Sequence, residues 1–164
     1  MLEGQITLRD ATSEDTQFLA HLYSDTRRRE IAGWGWPPEQ QDAFLRMQFE
    51  AQRRSYQLSF PDATDYIICI DGSAVGRMLV GSEATAKRLI DIALLEEHRN
   101  SGIGTALLRQ LLYSCESEGM TLRLQVLQGN RAIRLYERLG FVQDSADPMY
   151  VQMQWIPARL RKVS

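Results

Sequence analysis

Between Lys87 and Leu127 the chain runs through a strand pattern, a turn with two glycines, a helical stripe and a second strand pattern. No other feature limits the possible folds as much. "KRLIDIALL" reads as a strand, and Leu107, Leu108, Leu111, Leu112 and Cys115 then recur at helical spacing until Gly119 offers a stop. "TLRLQVL" returns to alternation, with Leu122, Leu124 and Val126 on one face and Arg123 and Gln125 on the other. A strand, a crossover helix and a strand make a parallel pair.

The flanking segments add hairpins. "TDYIICI" and "SAVGRMLVG" meet at Asp71-Gly72, a strong two-residue turn signal. "QITLRD" reads as an opening strand and "FVQ" and "YVQMQWI" as closing ones. Thr12 or Ser13 caps a helix through "TSEDTQFLAHLY", and Pro37-Pro38 opens another through "EQQDAFLRMQFEAQRRSYQ". Gly129-Asn130 ends a strand and Asn130 caps a short helix with Ala132, Leu135, Tyr136 and Leu139 as its stripe. The order β-α-α-β-β-β-α-β-α-β-β predicts an α/β (α+β) fold: a mixed central sheet of about seven strands flanked by about four helices. With no repeat, linker or low-complexity tract, residues 1–164 are expected to form a single domain.

Composition narrows the function classes. A net charge of −2 gives no field that would draw the whole molecule to nucleic acid or acidic membrane. The clusters Arg27-Arg28-Arg29, Arg53-Arg54 and Arg159–Lys162 read as solvated faces. Cys69 and Cys115 sit inside apolar patterns and read as buried thiols. "MLEGQITLRD" lacks an apolar leader segment, and no apolar run approaches the ~18 residues of a membrane span, so a cytoplasmic protein is expected.

Glycines at the start of a helix bring an anion close to N–H groups that have no intrahelical partner. Gly102 and Gly104 precede the Leu107 stripe and Arg99 adds a cation, which suits a phosphate or pyrophosphate. The dinucleotide fingerprint fails, because Leu107 stands where a third small residue belongs and "LQVLQGN" offers no acid. A P-loop fails too, since no Gly-Lys-Ser/Thr is present.

Arg99-Asn100-Ser101-Gly102-Ile103-Gly104-Thr105 resembles the Arg/Gln-x-x-Gly-x-Gly/Ala motif of the GNAT superfamily of N-acetyltransferases. "DIALLEEHR" resembles the strand that enters that loop, and "GNRAIRLYERLGF" the family's second segment. The resemblance implies acetyl-CoA as co-substrate, with no metal. It implies a pyrophosphate clasp from Arg99, Asn100, Ser101, Gly102, Ile103, Gly104 and Thr105, and a pantetheine arm along the backbone of Ile92 and Leu94. It further implies that the Leu94 N–H polarises the thioester carbonyl, that Asn130 contacts the arm, and that Tyr136 is the acid for the leaving thiolate. A thiol near pKa ~8.5 and a phenol near ~10 are close enough for that transfer.

The base is open at this level. Several family members carry a glutamate on the strand before the asparagine, where this chain has Gln125. Asp91, Glu96, Glu97 and His98 are the substitutes around the same strand end, and His21 reads as structural. Trp34 and Trp36 in "GWGWPP" either wall a site for a cationic amine or pack the two helices, and Gln125 borders the same acceptor region. The implied reaction is acetyl transfer to a primary amine on a small molecule or peptide, by a monomer or homodimer. A catalytically weak acyl-CoA sensor on the same fold is the alternative that Gln125 keeps open.

Overall fold

Seven strands form one sheet in this computed structural model, which describes residues 4–161. The first three residues of the N-terminal stretch, and Lys162 of the last basic cluster, lie outside the described residues. The strands are β1 (Ile6–Asp10), β2 (Thr64–Ile70), β3 (Ser73–Ser82), β4 (Ala86–Leu94), β5 (Thr121–Leu127), β6 (Val142–Ala146) and β7 (Tyr150–Trp155). The helices are α1 (Thr16–Ala32), α2 (Pro38–Ser59), α3 (Ile103–Glu118) and α4 (Ala132–Arg138). Strand order is β1-β2-β3-β4-β5-β7-β6, antiparallel at every step except β4 beside β5, so the sheet is mixed as expected.

Local chemistry explains most boundaries. Asp71 and Gly72 both take positive φ, 49° and 85°, as a two-residue hairpin between right-twisted strands requires. Thr12, rather than Ser13, forms a capping box: its hydroxyl accepts from the Glu14 N–H while the Asp15 carboxylate accepts from the Thr12 N–H. At the end of α3, Gly119 (φ 70°) lets the Met120 N–H return to the Cys115 carbonyl at 2.9 Å. Helix α1 runs on past the segment expected from its apolar stripe, through Arg27-Arg28-Arg29 to Ala32. Arginine and alanine are good helix formers, so nothing stops the helix before Gly33.

The two sheet faces are covered unequally. Helices α3 and α4 pack on one face over Ile68, Met78, Leu89, Leu122 and Leu124. Helices α1 and α2 cover Ile67 and Cys69 on the other, with Leu19 and Phe49 as their buried contacts. Cys69 and Cys115 are both free and buried.

Beside β4 the sheet opens. Its parallel pairing with β5 runs from Ala86↔Thr121 to Leu89↔Leu124 and ends there. At the same level Val80 pairs with Leu89 but Leu79 pairs with Asp91, which leaves Ile90 as an extra residue on β4. A bulge bends its strand, and this one turns the end of β4 away from the end of β5. The wedge between these strand ends is the frame of the site.

Candidate active site

A cavity of about 440 Å³ passes through the wedge. On the α3/α4 side it is lined by Ile92, Leu94, Gly104, Leu108, Asn130, Ala132, Leu135 and Tyr136. On the α1/α2 side it is lined by Leu19, Leu22, Tyr23, Thr26, Arg27, Glu30, Gln52, Arg77 and Asp91. One space therefore touches both sheet faces, which a continuous ladder would forbid.

The strand ladder decides which peptide groups face the gap. The Leu95 N–H donates to the Val75 carbonyl at 2.9 Å, and Ala93 stands opposite Arg77. In an antiparallel ladder alternate residues bond to the same neighbour. Leu95 and Ala93 thus bond to β3, and the peptide groups of Ile92 and Leu94 turn toward the wedge. The Leu94 carbonyl already accepts from Arg99 Nε at 2.9 Å, so its N–H is the group left for a ligand.

The glycine turn is held from below. Gly102 takes φ 88°, a conformation that costs a residue with a Cβ, and it leads directly into α3. The first intrahelical hydrogen bond is Ala106 N–H to Gly102 O at 3.0 Å, so the N–H groups of Ile103, Gly104 and Thr105 lie ahead of the ladder. A Cβ on Gly104 would meet nothing within 4 Å. Packing does not require glycine there; the open space it leaves is cavity. Arg99 and Gly104 reach the cavity wall, whereas Asn100, Ser101, Gly102 and Thr105 form the shoulder and the Ile103 side chain is buried in the core. Asp25 on α1 fixes the shoulder, because its carboxylate accepts from the Glu96 N–H at 2.7 Å and from Arg99 Nη2 at 3.3 Å.

Two titratable groups meet in the cavity from opposite faces. The Tyr136 ring packs edge-on against Phe141 at 5.6 Å. Burial raises its phenol pKa, and the Asp91 charge raises it further. Asp91 is itself raised, first by burial, with the Arg77 and Arg27 cations pulling it partly back. Arg77 is buried and doubly bonded to Asp65 at 2.9 and 3.0 Å, with its third nitrogen 3.8 Å from Asp91. Its guanidinium also stacks on Tyr56, whose hydroxyl is pushed up to about 12 by burial and then by Asp91.

Asn130 Oδ1 accepts from the Ala132 N–H at 2.9 Å, so this cavity residue also caps α4. Other sequence-derived candidates lie elsewhere. Glu96 pairs with Arg29 on the surface, and neither Glu97 nor His98 lines the cavity. Gln125 is exposed on β5 and accepts from Gln152 Nε2 at 2.7 Å, outside the cavity lining. Trp34 and Trp36 stack with each other and with Phe44 at 5.1 to 5.5 Å, closing the α1–α2 turn rather than the cavity. His21 is exposed on α1.

The residues that sequence reading passed over are Tyr23, Thr26, Arg27, Glu30, Gln52 and Arg77. The basic cluster at positions 27–29 is not one solvated face. Arg28 pairs with Asp42 and Arg29 with Glu96 outside, while Arg27 turns to the cavity, because adjacent helical positions point in different directions. The signal was present: Leu19, Leu22, Tyr23, Thr26, Arg27 and Glu30 continue one stripe that changes from apolar to polar. Arg77, a lone charge inside the apolar strand "SAVGRMLVG", was the other clue.

Among the described residues no group of His, Cys, Asp and Glu could hold a metal ion, and no helix is long and apolar enough to cross a membrane. The model of the Acetyltransferase (GNAT) family matches residues 17–141. Comparison with curated protein sequences returns no match. Among solved structures, PaiA N-acetyltransferase of Thermoplasma acidophilum, in complex with coenzyme A, superposes with a TM-score of 0.70 at 20% identity, covering 93% of this chain and 99% of that one. The ribosomal-protein-S18-alanine N-acetyltransferase of Escherichia coli gives 0.64 at 20% identity over 93% and 94%. Ard1 of Thermoplasma volcanium gives 0.61 at 22% identity over 93% and 97%. At these identities the likeness is one of fold.

Proposed function

The chain belongs to the GNAT acetyltransferase family, and from that premise we propose that it moves an acetyl group from acetyl-CoA to a primary amine. The observation that carries the proposal is the cavity that joins Gly104, Leu94 and Tyr136 on one sheet face to Asp91 on the other. The residues suit the co-substrate: Gly104 leaves open space at a helix start, and the peptide edges of Ile92 and Leu94 are turned to the gap. Coenzyme A is present in the PaiA structure, whose fold this chain shares. When bound, acetyl-CoA supplies the acyl thioester and a thiolate leaving group.

In this reading Asp91 takes the proton that the acceptor ammonium must lose before its nitrogen can attack. A carboxyl with a raised pKa is a better base for this task than a solvated one. The Leu94 N–H donates to the carbonyl oxygen as negative charge builds there, a contribution typical of acyl transfer. As the C–S bond breaks, the Tyr136 hydroxyl protonates the sulfur, and the second proton that the nitrogen sheds as the amide forms returns through water to the phenolate. The two titrations are linked: the Asp91 charge raises the phenol pKa, so protonation of Asp91 makes Tyr136 a stronger acid at the moment it must donate.

Release of free CoA thiol from acetyl-CoA in the presence of an amine panel tests the reaction. Tyr136→Phe keeps the ring against Phe141 and removes the hydroxyl. We expect kcat to fall about 10²-fold with acetyl-CoA affinity little changed. Normal turnover by this variant would remove Tyr136 from the mechanism.

A further inference from the structure

Three guanidinium groups line the cavity, and they are not equivalent. Arg77 is spent on Asp65, with both carboxylate oxygens bonded. Arg99 is spent on the Leu94 carbonyl and Asp25. For Arg27 the one acceptor among the described residues is Glu30 on the next turn of α1, at 3.5 Å, and that carboxylate is 62% exposed. A contact of this length between exposed groups is weak. Arg27 also lies over the Tyr23 ring, its central carbon 5.3 Å from the centroid. Stacking holds the guanidinium by its face and leaves the in-plane N–H donors to bond elsewhere.

The position of Arg27 matters as much as its freedom. It lines the same side of the cavity as Asp91, close enough for its charge to act on that carboxyl. The acceptor end of the site therefore presents a carboxylate for an ammonium group and, beside it, a planar fork of donors. Such forks match carboxylates with two parallel hydrogen bonds. A purely cationic acceptor would be attracted by Asp91 and by the exposed Glu30 carboxylate but repelled by Arg27, and it would leave the Arg27 fork unmatched. Volume sets a further limit. At about 440 Å³ the cavity is near the small end of ligand sites, roughly 300–1,000 Å³, and it must also take the acyl arm.

We infer that the acceptor is a small primary amine that also carries a carboxylate, an amino-acid-sized zwitterion whose carboxylate is held by Arg27 while its amine meets Asp91. This assignment rests on the acetyl-transfer reading, so its test needs one readout that does not depend on turnover. Amino acids are compared as acceptors with the amines that remain when the carboxylate is removed, and diamines and a C-terminally amidated dipeptide are included. In parallel, calorimetry measures binding of the N-acetyl amino acids and the N-acetyl amines themselves to the same protein.

The carboxylate member of a pair is expected to have at least a tenfold advantage, about 1.4 kcal/mol, in kcat/KM and in Kd. Arg27→Gln should narrow that ratio to threefold or less, and Arg27→Lys, which keeps the charge but not the fork, should restore only part of it. Because each ratio is taken within one protein preparation, a partial loss of folded variant does not alter it. Equal use of both members, or preference for diamines or the amidated dipeptide, overturns the carboxylate subsite and leaves acetyl transfer standing. Selective binding of carboxylates that Arg27→Gln abolishes, without thiol release from any amine, supports the subsite and overturns acetyl transfer. Neither binding nor release overturns both.

Discussion

In the proposed mechanism Asp91 carries opposite duties in stability and in catalysis, and one substitution separates them. Burial raises its pKa above the ordinary carboxyl value, with partial relief from Arg77 and Arg27. A carboxyl whose folded pKa lies above its unfolded one adds stability below the unfolded value, near 4, and that contribution is lost as pH rises through the folded value. The ionised Asp91 is therefore a cost at neutral pH. Asp91→Asn should melt higher than the parent at neutral pH, with the difference shrinking toward pH ~4. The same variant should lose the acid limb of the kcat–pH profile and about 10²-fold in kcat. A melting scan and a pH–rate series read the two effects, and a variant that keeps the limb removes Asp91 as the base. The sequence placed Asp91, Glu96, Glu97 and His98 at one strand end without ranking them by environment. Only the fold distinguishes a carboxyl inside the wedge from one paired with Arg29 at the surface.

At the scale of elements, the hinge of the site is the contact between α1 and the β4–α3 turn. Asp25 joins them through the Glu96 N–H and Arg99, and Arg99 in turn holds the Leu94 carbonyl. Asp25→Ala deletes the acceptor for both donors, which should cost about 1–2 kcal/mol. For a chain of this size that corresponds to roughly 2–8 °C in Tm. Because the same contacts fix the peptide of Leu94, acetyl-CoA affinity should fall too. Asp25→Asn keeps an oxygen for the Glu96 N–H and should recover part of the stability. Hydrogen exchange at Glu96 reports the freed amide directly, and unchanged exchange in Asp25→Ala would remove the pin. The element order was legible from period and turn chemistry: Asp71-Gly72, the Leu107 stripe and Gly119 each act locally. The bulge at Ile90 was not, since an isoleucine fits an apolar strand in either register. The length of α1 was missed because its second half has no apolar stripe to announce it, and that half carries Thr26, Arg27 and Glu30.

Across the whole molecule, the wedge turns ligand binding into a tie between two parts of one sheet. Strands β1 to β4 lie on one side of it, and β5, β7 and β6 on the other, joined by the short pairing that ends at Leu89↔Leu124 and by α3, which packs on both β4 and β5. A ligand that touches Gly104 and Leu94 on one side and Asn130 and Tyr136 on the other holds both. Binding only to the folded state at 100 times Kd adds about 2.7 kcal/mol, or roughly 5–11 °C in Tm for a domain of this length. Acetyl-CoA should therefore raise Tm by that amount and slow amide exchange at Ile92 and Leu94 on one bank and at Ala132 on the other. Gly104→Val is the control that gives the result its meaning. A side chain there meets no protein atom, and valine is no worse than glycine inside a helix, so the melting point without ligand should not fall. The branched side chain fills cavity space at the helix start, and affinity should drop at least tenfold, about 1.4 kcal/mol. At equal ligand concentration the thermal shift then shrinks by roughly 3–6 °C. Equal shifts in parent and variant would mean that acetyl-CoA does not approach the start of α3, and the assignment of the wedge as the acyl-donor site would fail with it.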